Sequence, residues 1–363
     1  MEPFHAYELT LTQGSRERGL IHGETLRAQI VDAVDGFAEA LKKAGKNPEA
    51  IAFSMVHEYG YLAAAERWTP WLVEEIRGIA DGAGLPFERI MAWQLVQEMA
   101  WVPQLDPSAA PLATACTSLG SWTSTGSTIV AQTVDGTGWG HGRELITHLT
   151  DPETAIRAHV IGWPGHVGVY GLNDHGIGIC CNSMFIDVTN STVGLSALFT
   201  VRGVLAQRTL DDADRFIRGV SHASGTNFMI GGPGRAVSYE VSAKGIAAYE
   251  PSPDSRITYH TNHVIANADR VAPNIPGWDT NTKARLASVE RRMNERNSAM
   301  TWEDAREVIS SHDDEENPIC RHFTGDAAAM TLYGLVMECS AERPVIHIAT
   351  GPPCCTEFRA FGF

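Results

Sequence analysis

Basic residues are scarce in this sequence: 28 lysines and arginines stand against 43 aspartates and glutamates, for a formal net charge of −15, and no run of five or more Lys/Arg occurs. Neutralising a polyphosphate backbone needs a concentrated basic face, so nucleic acid is not an expected partner. No stretch of 18 apolar residues is present, so neither a membrane span nor a membrane partner is expected. The start, Met1-Glu2-Pro3-Phe4-His5, lacks the basic-then-apolar pattern of a secretory leader. Seven cysteines are an odd number in a chain too long to need disulfide staples. Together these features lead us to expect reduced thiols and a cytoplasmic location. Internal repeats and low-complexity tracts are missing as well. What remains is ordinary globular material: 363 residues, 44% hydrophobic and 20% charged, enough for one large domain or two smaller ones.

Residues 15–100 read as helical. Gly19–Gly23 leads into Thr25–Lys43, where Leu26, Ile30, Val34, Phe37, Ala38 and Leu41 recur at helical spacing. Pro70 opens a helix over Trp71–Ala80 that Gly82–Leu85 breaks, and Pro86–Glu98 starts the next. Pro103–Ala115, with Pro103, Pro107 and Pro111 and no periodicity, reads as an exposed linker. From Cys116 the character changes to strands: Ser127–Gln132, Ala155–Trp163, Val167–Leu172 and Gly176–Asn182. Leu198–Val220 returns to helical spacing. Asn227–Gly231 and Ala236–Val241 read as a hairpin turning at Gly231–Gly234, with Gly245–Tyr249 after it. Helices over Thr282–Asn297 and Thr301–Ser311 precede a closing hairpin, Thr331–Cys339 and Val345–Thr350. Short strands among helices without β-α-β alternation imply a mixed α+β architecture.

Around Ala115-Cys116-Thr117-Ser118 the sequence resembles the acyl-coenzyme A:isopenicillin N acyltransferases and their autoproteolytic cysteine-peptidase relatives, within the N-terminal-nucleophile hydrolase superfamily. Upstream, Trp71–Gly84 is similar to the helix-and-glycine segment of that family's smaller subunit. Downstream, Ala131–Asp135, Gly171–Gly176, Ala223–Phe228, Tyr259–His263, Ile319–His322 and Gly351–Cys354 follow in the family's order. The resemblance implies a four-layer αββα sandwich. It also implies scission of the Ala115–Cys116 bond, with 1–115 as a mainly helical small subunit that stays bound to the catalytic subunit 116–363, both forming one αββα unit.

The resemblance names Cys116 as nucleophile. Asn262 is the implied oxyanion donor, Asp135 the carboxylate orienting the new α-amine, Ser118 a hydrogen-bonding neighbour and Arg321 a basic residue of the pocket. A thiol at an amino terminus carries its own base, because a free α-amine titrates at ~7.7–8.0 and is partly neutral near pH 7. In an uncut precursor that nitrogen is an amide and cannot serve, which is why the residue must be made terminal. The expected reaction is acyl transfer from a linear amide or acyl-thioester through an acyl-Cys116 intermediate. Water is the favoured acceptor, making the enzyme an amidohydrolase before an acyltransferase. The alternative is an uncleaved, catalytically silent binding protein on the same fold.

No cofactor is expected. His260 and His263 have H-x-x-H spacing, but no glutamate follows His260 and no third ligand is evident, so no metal site is expected there or elsewhere in the sequence. Cys180-Cys181 and Cys354-Cys355 are adjacent pairs, which suit core packing better than one tetrahedral ion.

Overall fold

The computed structural model describes residues 3–43, 45–101, 115–137, 140–184, 188–251, 254–270, 278–296, 300–323 and 329–363. Among these residues, the first third is helical apart from an opening strand, β1 (Tyr7–Leu11). Its helices are α1 (Ser15–Thr25), α2 (Arg27–Lys43), α3 (Pro48–Phe53), α4 (Tyr61–Trp68), α5 (Pro70–Ala83) and α6 (Phe87–Gln94). Then come the strands β2 (Cys116–Trp122), β3 (Thr128–Thr137), β4 (Leu145–Thr150), β5 (Arg157–Gly162), β6 (Tyr170–Asn173) and β7 (Gly178–Ser183). Helices α7 (Ala197–Leu205) and α8 (Leu210–Gly219) lead to β8 (Thr226–Gly232), β9 (Arg235–Val241), β10 (Ile246–Tyr249) and β11 (Ile257–His260). The chain closes with α9 (Trp278–Glu295), α10 (Trp302–Ile309), β12 (Ala329–Glu338), β13 (Val345–Ala349) and β14 (Arg359–Gly362).

Two sheets result among the described strands. One has the order β1-β4-β5-β6-β7-β8-β9-β10 and the other β11-β2-β3-β12-β13-β14. They stack with β2 and β3 over β7, β8 and β9, while α7 and α8 cover the first sheet and α9 and α10 the second. Helices α1, α2, α5 and α6 share a hydrophobic core with the first sheet. This is the four-layer αββα arrangement expected from the sequence, mixed α+β in class.

Strand alternation divides the core. Cys116, Val130 and Val134 belong to the cluster between the sheets. Leu119, Ile129 and Ala131 point the other way, into a second cluster with Val289 and Met293 of α9 and Val308 and Ile309 of α10. Gly120, toward the far end of β2, lies where a side chain would strike Ala236 Cβ at 2.7 Å, so the two sheets approach closely there.

Helices α1 and α5 cross with their backbones in contact. A Cβ on Gly78 would lie 2.1 Å from the Arg16 carbonyl oxygen, and one on Gly19 would lie 1.9 Å from that of Glu75. This close approach requires glycine, which is why Gly19–Gly23, read as a lead-in, is itself helical. It also explains why α5 continues through Gly82 and stops only at Gly84, with φ of 70°. Into this crossing are built Arg18, Glu75 and Arg202. Glu75 Oε2 accepts from Arg18 Nε at 3.0 Å and Nη2 at 2.8 Å, and both Glu75 oxygens accept from Arg202 at 3.2 Å. All three side chains are buried. Two lie in 1–115 and one in 116–363, so the cluster joins the two portions, as does the parallel pairing of β1 with β4.

Other differences are local. The span Leu198–Val220 is two helices, because Thr209 interrupts it and caps α8 by accepting from the Asp212 amide at 3.1 Å. β1, β2, β4, β11 and β14 escaped the pattern reading. β2, Cys-Thr-Ser-Leu-Gly-Ser-Trp, is buried on both faces yet carries small polar residues where alternation expects large apolar ones. The linker 103–115 lies, except for Ala115, outside the described residues. Cys180 and Cys181 are packed in the core as expected, whereas Cys354 is exposed and Cys355 half-buried. No described helix is long and apolar enough to cross a membrane.

Candidate active site

Cys116 opens β2, a strand between β11 and β3, and is fully buried. The backbone around it is held at three polar atoms. The Ala115 carbonyl accepts from the Asp135 amide at 2.8 Å. The Cys116 amide donates to Asn262 Oδ1 at 3.0 Å, and the Cys116 carbonyl accepts from Arg285 Nη1 at 2.6 Å. β3 supplies the first of these contacts, the segment after β11 the second and α9 the third.

Asn262 is itself fixed. One hydrogen of its Nδ2 goes to the Ser183 carbonyl at 3.0 Å, and its own amide donates to Thr282 Oγ1 at 2.8 Å. Its Oδ1 also accepts from Arg285 Nη2 at 2.7 Å. The preceding His260 uses both ring nitrogens within the protein, meeting Glu240 Oε1 at 2.7 Å and the Thr261 carbonyl at 2.9 Å. Glu240 further accepts from the amides of Ile265, Ala266 and Asn267 at 2.6 to 2.8 Å. Burial would raise the Glu240 carboxyl, but His260 and these amides outweigh it and hold it below the usual range. This histidine therefore anchors the segment carrying Asn262.

Ser118 lies two residues along β2, on the face of Cys116, and donates to Asn182 Oδ1 at 2.7 Å. Asn227 Nδ2 meets the same oxygen at 3.2 Å, and Ser238 donates to Asn227 Oδ1 at 2.7 Å. A buried polar row thus runs between the sheets beneath the thiol. Two of its atoms, Asn182 Nδ2 and Gln132 Oε1, are buried without a hydrogen-bond partner among the described residues.

Asp135 falls by alternation with Ile129 and Ala131 on the helix-covered face. Its Oδ1 accepts from Thr331 Oγ1 at 2.7 Å, and its Oδ2 lies 3.2 Å from Arg321 Nε. That ion pair is Coulombic contact without hydrogen-bond alignment, since neither atom makes a well-directed bond. Burial raises the Asp135 carboxyl above its ordinary range, against the pull of Arg321 and Arg285. Arg321 is held in turn by its amide donating to Thr331 Oγ1 at 2.9 Å.

Burial also pushes the Cys116 thiol up to about 12, and the Asp135 carboxylate adds to this. The Asp135 amide, Arg285 and Gln132 pull the other way without prevailing. In the continuous chain the thiol is therefore protonated at neutral pH.

The structure brings all five candidate residues, Cys116, Ser118, Asp135, Asn262 and Arg321, to one end of β2 and β3. Sequence reasoning missed Arg285, the best connected of all. Burial lowers its guanidinium to about 10, and it also donates to Thr117 Oγ1 at 3.0 Å. Nothing in its sequence setting, one arginine of several on a helix, distinguishes it. Gln132 did leave a signal, as a long polar residue inside an apolar strand.

No curated protein matches the sequence. Among the solved structures that resemble the fold weakly are the following two. One is a mutant form of conjugated bile acid hydrolase from Clostridium perfringens, 8% identical, covering 68% of this chain and 97% of that one with a TM-score of 0.43. The other is penicillin V acylase from Agrobacterium tumefaciens, 12% identical, covering 68% and 86% with a TM-score of 0.35. A family model gives the firmer result: it matches residues 123–350, well over half the sequence, beginning just past Cys116. The chain belongs to the acyl-coenzyme A:6-aminopenicillanic acid acyl-transferase family.

Proposed function

We propose that this protein cuts itself between Ala115 and Cys116 and then works as an N-terminal-cysteine amidohydrolase, passing acyl groups from linear amides through Cys116 to water. The observation that carries the reading is the grip on the Ala115–Cys116 bond. The Ala115 carbonyl oxygen sits on the Asp135 amide, and the nitrogen to be released sits on Asn262 Oδ1.

Self-cleavage begins with Cys116 Sγ bonding to the Ala115 carbonyl carbon. The oxyanion that forms has the Asp135 amide already in place as donor. Collapse breaks the C–N bond, and the proton lost by the thiol ends on the Cys116 nitrogen. Water then hydrolyses the resulting thioester, leaving a carboxylate on Ala115 and a free thiol and amine on Cys116. The nitrogen, no longer an amide, takes the thiol proton in later turnovers.

In those turnovers Asn262 has a second Nδ2 hydrogen for the substrate oxyanion, beyond the one given to Ser183. Ser118 and Asn182 furnish the polar floor, and the Arg321–Asp135 pair the charged wall. Water is taken as acceptor because keeping it from a thioester asks more of a site than admitting it. The small portion stays bound through β1 and the Arg18–Glu75–Arg202 cluster.

Denaturing mass analysis tests the first step. The 39.4 kDa chain should give fragments of about 12 and 27 kDa in proportion to residue number, the larger beginning Cys-Thr-Ser. An intact chain that turns over amides would refute the mechanism.

A further inference from the structure

The fold gathers four side chains that the sequence scatters over more than forty positions. His312 follows α10, Cys320 and His322 lie on the segment leading to β12, and Cys354 sits in the connection between β13 and β14. One ligand atom of each, two imidazole nitrogens and two thiol sulfurs, lies within 4.8 Å of all the others. Cys320 Sγ is 3.6 Å from Cys354 Sγ. Cys354 Sγ is 3.2 Å from His322 Nε2, which is 3.2 Å from His312 Nε2.

We propose that His312, Cys320, His322 and Cys354 form a tetrahedral His₂Cys₂ site for a zinc-like divalent ion. Metal–sulfur bonds of ~2.3 Å and metal–nitrogen bonds of ~2.0–2.1 Å place ligands on a regular tetrahedron ~3.8 Å apart for S···S, ~3.5 Å for S···N and ~3.3 Å for N···N. The three close contacts have that order of length, and each falls within about 0.4 Å of its edge. Two soft thiolates with two imidazoles select zinc over magnesium or calcium, which want oxygen. Four protein ligands leave no open position, so the site is structural. Its two thiolates neutralise the ion.

The adjacent cysteine takes no part. Cys355 Sγ turns to the Pro352 carbonyl at 3.6 Å, so the doublet contributes one ligand and the objection to neighbouring ligands does not arise. Cys320 is fully buried and its amide is bonded to the Ser311 carbonyl at 3.1 Å, so the site rests on a fixed floor. His312, Cys320 and His322 also line a cleft of about 420 Å³ with Glu315 and Glu316, which leaves an entry path.

The ion would clamp the segment before β12 to the β13–β14 connection. Arg321 stands between two of its ligands and faces Asp135 at 3.2 Å. The metal therefore holds the residue that forms the charged wall of the candidate active site, although the inference does not depend on what Cys116 does.

The test uses reduced full-length protein without a histidine tag, purified without chelator. Metal content is measured by mass spectrometry, and zinc affinity by competition with a chromophoric chelator. Cobalt(II) replacement reads the geometry through the visible bands of a four-coordinate thiolate complex. We expect one ion per chain in the wild type and in Cys116→Ala. Cys354→Ser and His322→Ala should each weaken zinc by more than the ~10–100-fold lost when residues that merely orient ligands are changed. Both positions are at the surface, so these variants fold even if Cys320→Ser does not. Three results would overturn the site: reduced wild type binding no stoichiometric zinc or cobalt, binding unchanged in both surface variants, or freshly isolated chain carrying a Cys320–Cys354 disulfide and taking up no metal once reduced.

Discussion

Replacing Glu75 by glutamine removes the anion that bridges two buried guanidiniums, Arg18 and Arg202. Burial by itself would raise the Glu75 carboxyl, but Arg202 and Arg18 outweigh it and bring it from 4.5 down to about 2. A carboxyl whose folded value is depressed stabilises the fold fully above its unfolded value and loses that contribution as pH falls through the folded value. Here the shift amounts to about 3 kcal/mol at pH 7, and by pH 3 the contribution shrinks by about 2 kcal/mol. Deleting one partner of a buried ion pair costs ~3–5 kcal/mol, because the remaining charge stays desolvated. The two routes agree. Urea unfolding in a Cys116→Ala background, where the chain stays single, should find Glu75→Gln less stable by about 3 kcal/mol at pH 7, the gap closing to roughly half by pH 3. A gap under about 1 kcal/mol, or one that does not change with pH, would refute the view that this cluster ties the amino-terminal helices to the first sheet.

Cys116→Ala should give one 39.4 kDa species with no amidase activity, by denaturing mass spectrometry and turnover assay. In cut protein, Asn262→Ala should lower kcat by ~10²–10³ with little change in substrate affinity. It should also slow the cut, since Asn262 holds the Cys116 amide at 3.0 Å; retention of more than about half the turnover would remove the oxyanion role. Gly78→Ala should destabilise by ~1–3 kcal/mol, because its Cβ meets the Arg16 carbonyl. The same change at Gly219, where nothing lies within 4 Å, should stabilise by up to ~1 kcal/mol through helix propensity, so thermal melts moving in the same direction would contradict the close-crossing account.

The helices and hairpins with clean periodicity were legible, and so was the family, because the blocks around Cys116 keep its order. What pattern could not reach was anything defined by tertiary proximity. β2 hides because its inner positions, Cys116, Ser118 and Gly120, are chosen for the polar row and the tight sheet contact and not for hydrophobic bulk. Arg285 hides because a helix arginine turned inward looks like one turned outward until α9 is laid on β2. The His and Cys ligands hide because only the turn after β13 brings Cys354 back to His322. Periodicity misled most at α1, where glycines that usually end a helix serve a helix-to-helix crossing.

The pairing of β1 with β4 makes chain continuity a physical quantity in this fold. While residue 115 is joined to 116, the opening strand and its helices are tethered to the sheet they complete, at an effective concentration on the order of millimolar. Once the bond is gone, the same contacts join two molecules, and their midpoint of unfolding depends on dilution. An intact chain can unfold and return, whereas a cut one that loses its shorter piece must find it again by diffusion. For the scission proposed above this sets an order: folding first and the cut second, so that the cut protein would keep a shape reached only as a single molecule.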